Sequence, residues 1–117
     1  MKFKLILVMV EDEKTELVLD TARAHGATGS TVVTSARGEG LKPVKTFLGL
    51  DLAGQRDIVL LLVEEHLSRI ILEKVGTACK FDEKPGTGVA VQIDIEDAVG
   101  LTSQIQTIEQ EIDEEEL

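Results

Sequence analysis

The 117-residue sequence is poor in aromatic residues, in bases and in cysteine. It has no Trp and no Tyr, so it lacks the stacking surfaces that single-strand nucleic-acid binders use. Twelve Lys and Arg stand against 22 Asp and Glu, and the formal net charge of −10 argues against binding to a phosphate backbone. The one cysteine excludes an internal disulfide and is typical of a reducing compartment. We therefore expect a cytoplasmic protein without a nucleic-acid partner.

Several kinds of enzyme site are excluded by residue types that the sequence lacks. There is no Asn, which an acylphosphatase-type site requires. The two histidines, His25 and His66, have no partner motif, and together with Cys79 they show no metal-ligand spacing. Cys79 is interpreted as a small apolar residue that fills space near a helix end. The sequence predicts neither enzyme activity nor a bound metal.

The chain contains enough apolar residues, 43% of the total, for one domain with an aliphatic core. Its first apolar run, residues 3–10, is short and is followed at once by acids. This run predicts a buried strand, and neither a signal peptide nor a membrane span. We expect no direct insertion into a membrane.

The spacing of apolar residues predicts the element order β-α-β-β-α-β. Strands are predicted over residues 3–10, 29–35, 57–63 and 89–95, and helices over residues 11–26 and 64–76. Gly26 and Gly76 are the predicted helix stops, and the second helix carries Leu67, Ile70, Ile71 and Val75 at helical spacing. This order is the split-βαβ, or ferredoxin-like, α+β arrangement.

The strands differ in how many of their sides are apolar. The first and third strands are apolar on both sides, whereas in the fourth Val89, Val91, Ile93 and Ile95 share one side and predict a half-buried strand. Strands that are apolar on both sides need cover on both faces, and one layer of helices covers only one. The second face is therefore predicted to meet neighbouring subunits in a homotrimer.

A glycine-rich turn, Gly86-Thr87-Gly88, precedes the fourth strand and follows Lys84. Backbone N–H groups in such a turn can form a nest for an anion. The same residues also suit an ordinary tight turn, because glycine tolerates a positive φ. Both interpretations remain open at this point.

Two further segments have alternative interpretations. The connection over residues 37–56 mixes bases with apolar residues. It is interpreted as a hairpin folded back on the trimer, as an interaction loop that docks on a partner, or as each of these in a different ligand state. Residues 102–117 form an acidic C-terminal helix or tail, with Ile105, Ile108 and Ile112 in a narrow apolar seam. A helix packed loosely on its own domain is favoured over a tail dedicated to a partner.

The order of these motifs resembles that of the PII signal-transduction superfamily. "GATGSTV" at the end of the first helix, the long loop, and "KPGTGVAVQIDIEDAVG" before and through the last strand carry the resemblance. It implies a trimeric ferredoxin-like regulator that binds an adenine nucleotide (ADP, AMP or ATP) between subunits, with no metal required by the sequence. It further implies that residues 1–101 form the PII-like domain and that residues 37–56, the T-loop, engage a transporter or an enzyme.

The resemblance also implies particular residues for each role. Leu62 corresponds to a position that packs near the adenine, and the turn from Lys84 corresponds to the phosphate-binding B-loop. The nucleotide-binding positions are Gly29, Ser30, Thr31, Arg37, Gly38, Leu62, Lys84, Pro85, Gly86, Thr87 and Gly88. The partner-loop positions are Lys42, Lys45, Phe47 and Arg56.

This sequence departs from the PII pattern at several phosphate contacts. Val89 stands where a lysine is usual, and Gly100 and Thr102 stand where two arginines are usual. Gly40 and Leu41 replace an Arg-Gln pair, for which Arg37 is a candidate substitute. The absence of Tyr excludes uridylylation. These departures indicate a divergent PII-like member, and the alternative is a structural or metal-tolerance trimer of the same fold with no nucleotide response.

Overall fold

The computed structural model describes residues 2–36, 46–47, 50–51 and 55–100. In these ranges a four-stranded antiparallel sheet packs against two helices. The elements are β1 (Phe3–Glu11), α1 (Thr15–Ala24), β2 (Thr31–Ala36), β3 (Thr46–Phe47), β4 (Leu50–Asp51), β5 (Arg56–Glu64), α2 (Glu65–Ala78) and β6 (Gly88–Asp94), with a 3-10 turn at Asp12–Lys14.

The strands of the main sheet lie in the order β2-β5-β1-β6, and all neighbouring pairs are antiparallel. This is the ferredoxin-like order, and it confirms the predicted fold class. A separate pair, β3 with β4, joins Thr46 to Asp51 and Phe47 to Leu50. A hairpin was one of the two alternatives for residues 37–56, and this pairing is compatible with it, whereas docking against a trimer stays a prediction.

An aliphatic core lies between the helices and one face of the sheet. From β1, alternate residues are fully buried because the side-chain period of a strand is two. Helix α1 contributes Val18 and Ala22, and α2 contributes Ile71 and Val75. The remaining buried core positions are Ile6, Val8, Val10, Val59, Leu61, Val63 and Cys79.

Two buried hydroxyl groups connect the helices to the sheet. At the first residue of α1, Thr15 Oγ1 donates to Asp57 Oδ2 on β5 at 2.6 Å, and both side chains are buried. On α2, the buried Ser68 donates to Gln92 Oε1 on β6 at 2.8 Å. Each bond supplies a partner for a polar group that burial has removed from water.

The end of α2 differs from the prediction. The helix passes through Gly76 and ends at Ala78, and a Cβ atom on Gly76 would meet no atom within 4 Å. Burial of Ile71 and Val75 outweighs the cost of about 1 kcal/mol for a glycine inside a helix. Gly26, by contrast, follows the end of α1 with a φ of 107°, as predicted. Ile70, one of the apolar residues at helical spacing on α2, is 43% exposed.

The apolar side of β6 faces away from the helices. Ala90 pairs with the buried Val8, which places Ala90 on the core side, where it packs against the core. Val91 and Ile93 lie on the opposite face and are 36% and 42% exposed in the single chain. Ile95 lies beyond the end of the strand. The predicted segment 102–117 lies outside the described residues.

Candidate functional site

The segment that joins α2 to β6 is a series of tight turns. Cys79 caps α2, and Lys80 follows in the left-handed region with a φ of 57°. The Phe81 N–H donates to the Gly76 carbonyl at 3.1 Å, and the Lys84 N–H donates to the Lys80 carbonyl at 3.0 Å. The chain therefore leaves the helix along a path fixed by its own backbone hydrogen bonds.

The predicted phosphate turn is closed by one threonine. Thr87 Oγ1 donates to the Lys84 carbonyl at 2.8 Å, and the Thr87 N–H points to the same oxygen at 3.4 Å. Gly86 has a φ of 80°, a conformation that favours glycine. Both donors of Thr87 are thus used inside the turn, so a ligand would meet other backbone groups or the Lys84 ammonium.

Gly88 has a different reason to be glycine. A Cβ atom added there would lie 2.6 Å from Cζ and 2.8 Å from Cδ1 of Phe81, and closer still to Cε1. Ordinary carbon–carbon contacts are about 3.5–4.0 Å. Packing against Phe81 therefore requires a glycine at this position whether or not a ligand binds.

The charge of the turn is balanced. Lys80, Asp82, Glu83 and Lys84 are all exposed. Because two acids accompany the two bases, the turn lacks the strong positive field of a dedicated polyphosphate site. Val89, where the PII pattern has a lysine, is half-buried and pairs with Met9 on β1.

The second predicted group, Gly29, Ser30 and Thr31, lies between α1 and β2 and is exposed. Gly29 and Ser30 line a small cavity of about 50 Å³ together with Arg23 and Leu61. A Cβ atom on Gly29 would meet nothing within 4 Å, so nothing inside the described part of the chain explains the glycine.

The two predicted groups stand at opposite edges of the sheet. Thr31 begins β2, which is one edge strand, and Gly88 begins β6, which is the other. Two strands lie between them, so at about 4.8 Å per strand the edges are about 14 Å apart. Leu62 lies on the inner strand β5, half-buried, on the sheet face opposite the core residues Leu61 and Val63.

The predicted loop residues are only partly described. Arg37, Gly38, Lys42 and Lys45 lie outside the described residues, as do the departure positions Gly40, Leu41 and Thr102. Phe47 is described as the second residue of β3, in its backbone. Pro85 is exposed within the turn.

Arg56 does not have the exposure expected of a partner-loop base. It is the first residue of β5, its side chain is 6% exposed, and its Nη1 donates to the Gln55 carbonyl at 3.2 Å. Arg56 pairs with Glu11 on one side and with Ala36 on the other, so it lies inside the sheet. The strand begins one residue earlier than its apolar run, so Arg56 belongs to β5, and its role as a partner-loop residue stays a prediction.

Phe81 is the residue near the turn that the sequence reasoning missed. It is partly buried and packs against the core. In the sequence it stands alone among charged residues, in "KFDEK". A single aromatic residue in a charged turn was the available signal, because such a side chain needs a surface to cover it.

Among the described residues, the pKa is shifted at three groups, all of them outside the turn. Burial raises the pKa of the Cys79 thiol, and the nearby Lys14 ammonium opposes this effect. At the far end of the sheet, Lys4 donates to Asp94, which raises the pKa of Lys4 and lowers that of Asp94. Cys79 is buried, in agreement with its predicted role as a filler.

Two classes of feature are absent from the described residues. Across residues 2–36, 46–47, 50–51 and 55–100, no group of three or more His, Cys, Asp or Glu side chains could hold a metal ion. None of the helices in the same ranges has the length and apolar character needed to cross a membrane.

Comparison with known proteins gives one family. The family model "Nitrogen regulatory protein P-II" matches residues 3–104. A search of the curated proteins finds no match to this sequence.

Solved structures of PII-like proteins are similar to the chain in fold. The apo form of CPII from Thiomonas intermedia K12, a nitrogen regulatory PII-like protein, is 21% identical, with 81% of this chain and 90% of that chain covered and a TM-score of 0.62. CPII bound to ADP, AMP and acetate is 20% identical, with 86% of this chain and 96% of that chain covered and a TM-score of 0.63. A PII-like signaling protein from Thermus thermophilus is 21% identical, with 81% and 91% covered and a TM-score of 0.57.

Proposed function

Because the chain belongs to the nitrogen regulatory protein P-II family, we propose that it is a cytoplasmic signalling protein and not an enzyme. It binds an adenine nucleotide between the subunits of a homotrimer. Nucleotide binding controls a protein partner, such as a membrane transporter or an enzyme, through residues 37–56. The ligand is a regulatory ligand and needs no metal.

The observation that carries this proposal is the separation of the two predicted binding groups. Residues 29–31 and residues 84–88 begin strands at opposite edges of one sheet. This separation supports a nucleotide that lies between two copies of the chain and contacts one group from each. Gly29 supports this arrangement, since its missing side chain leaves open space that no described atom of its own subunit fills.

The family comparison supports the choice of ligand class. The structures of CPII described as bound to ADP and AMP have the same fold as this chain. In this chain, Lys84 is an exposed base beside a closed glycine turn, and Leu62 offers an aliphatic surface on the sheet face away from the helices. These groups suit a small anion joined to an apolar base.

The missing cations predict which nucleotides bind. Charge-assisted hydrogen bonds contribute about 1.5–3 kcal/mol each. Their absence at Val89 and Gly100 weighs most on the phosphates farthest from the base. We expect ADP or AMP to bind about as well as ATP, and Lys84→Ala to weaken all three.

Titration calorimetry and thermal shift test the proposal. Saturation at a hundred times Kd should stabilise the native state by about 2.7 kcal/mol. Lys74→Ala, which removes an exposed lysine on α2, is the matched control and should leave binding unchanged. ATP binding at least tenfold tighter than AMP would show that other bases replace the missing ones, and Arg37 would be the first to mutate.

Failure of ATP, ADP, AMP and cyclic AMP to bind would instead favour a structural or metal-tolerance trimer without nucleotide response. The packing of Gly88 on Phe81 is the observation that favours this alternative, because it explains one of the two turn glycines without a ligand.

A further inference from the structure

The aromatic ring of Phe81 lies where the two ends of the predicted phosphate turn meet. Phe81 precedes the turn, and Gly88, the last residue of the turn, is also the first residue of β6. The ring packs against the core on one side and against Gly88 on the other. The contact between Phe81 and Gly88 therefore holds together the two ends of residues 82–87.

The contact alone accounts for glycine at position 88. Among the described glycines, those with a φ in the left-handed region are Gly26, Gly86 and Gly100, so the backbone of Gly88 is one that other residues can adopt. Gly88 pairs with Val10, which is fully buried, and this register places the ring on the core side of the strand. The contact with Phe81 consequently sets how closely the first residue of β6 approaches the core.

The surroundings of Phe81 allow this role to be tested without unfolding the chain. The ring lines an open cleft of about 570 Å³ between α2 and β6, together with Leu72 and Val89. Truncation of the ring enlarges a cleft that already reaches solvent and does not leave a closed cavity in the core. The loss of stability is therefore smaller than for a core position such as Ile71.

We propose that Phe81 is a positioning residue for the nucleotide turn: its ring fixes Gly88, and through Gly88 the closed turn of Lys84, Gly86 and Thr87. This inference rests on the proposed function. It adds that phosphate affinity depends on an aromatic side chain that does not itself touch the nucleotide.

A double-mutant cycle with ADP titration tests the inference. Phe81→Ala should weaken ADP at least tenfold, because the turn no longer holds its binding conformation. Gly88→Ala should also weaken ADP, because the new methyl group overlaps the ring and displaces the turn. In the Phe81→Ala background the overlap is gone, so Gly88→Ala should have no further effect on ADP affinity.

Two results would overturn it. One is a Phe81→Ala variant whose ADP affinity stays within twofold of the unmodified chain. The other is a Gly88→Ala effect of equal size in both backgrounds, which would mean that Gly88 acts independently of the ring. Val18→Ala is the control, because it truncates a buried core residue on α1, a helix that contacts β5 and α2. It should leave ADP affinity unchanged.

A second readout separates this inference from the proposed function. If the unmodified chain binds no adenine nucleotide, the proposed function fails, and amide hydrogen exchange in the free protein then decides the role of Phe81. Phe81→Ala should speed exchange at the Thr87 N–H at least tenfold, whereas Val18→Ala should not do so beyond its global effect. Unchanged exchange at Thr87 in Phe81→Ala would overturn the positioning role.

Discussion

Three glycines of this chain differ in what surrounds the position of a side chain. Gly86 adopts a positive φ, Gly88 makes room for an aromatic ring, and Gly29 has open space where its side chain would be. The first two reasons lie within the subunit. No described atom accounts for the third; under the proposed function it is an indication that a ligand approaches the backbone at the start of β2.

Gly29→Ala tests that indication. The φ of Gly29 lies outside the left-handed region and its Cβ would be unobstructed, so the unliganded chain should unfold at the same temperature or higher. ADP affinity should fall at least tenfold, because the methyl group would occupy the proposed cleft between subunits. Thermal unfolding and calorimetry measure the two effects.

Gly76→Ala provides the matched comparison, since its Cβ is equally unobstructed but lies inside α2. It should stabilise the helix by up to about 1 kcal/mol without any change in ADP affinity. If the two variants affect ADP affinity alike, Gly29 has no special relation to the ligand.

Among the elements, α1 and β5 are joined by a hydrogen bond between buried groups as well as by the apolar core. The Thr15 hydroxyl donates to Asp57 at 2.6 Å, directly after the point where the chain returns from residues 37–55. Because Asp57 is buried, loss of this donor leaves a carboxylate with fewer partners away from water.

Thr15→Val should therefore destabilise the fold by about 1.5–3 kcal/mol, the range for hydrogen bonds to charged groups. Urea unfolding at neutral pH measures the change in the free energy of unfolding. Thr77→Val, an exposed position on α2, makes the same chemical replacement and should change stability by less than about 0.5 kcal/mol. Equal effects at both positions would show that the Thr15–Asp57 bond contributes nothing specific.

Sequence patterns predicted which elements form but not how each one faces its neighbours. The period of two in β6 showed that Val91 and Ile93 share a side, and the register with β1 then placed that side away from the helices. The helix stop at Gly76 failed because tertiary burial of Val75 outweighs local propensity. The glycine turn was recognisable from its composition, whereas the Phe81 contact across it depends on folding and could not be read from spacing.

At the scale of the whole molecule, the sheet has an apolar face that the helices do not cover. Val33, Val91 and Ile93 are between 36% and 45% exposed on it in the single chain. Their strands pair with inner strands whose residues on the same side, such as Leu5 and Leu60, are also apolar. Such a surface indicates an interface, and a homotrimer is the assembly proposed above.

Ile93→Lys should break that assembly. The new ammonium would be desolvated between subunits, so light scattering at micromolar concentration should report monomers or dimers in place of trimers. Ile70→Lys is the control, because Ile70 is 43% exposed, against 42% for Ile93, but lies on the helical layer. A stable trimer in both variants, or a monomer in the unmodified chain, would contradict the proposed interface and the site between subunits with it.

The two strands that flank residues 37–55 differ in how many neighbouring strands hold them. β5 is an inner strand, bonded on both sides, and its first residues are buried and tied to α1. β2 is an edge strand, and its register to β5 shifts between Val33 and Ala36. A partner that pulls on the connecting segment would therefore strain β2 before β5. The strain would run along β2 toward Thr31, so force on the loop would first reach one of the two sheet edges proposed to contact the nucleotide.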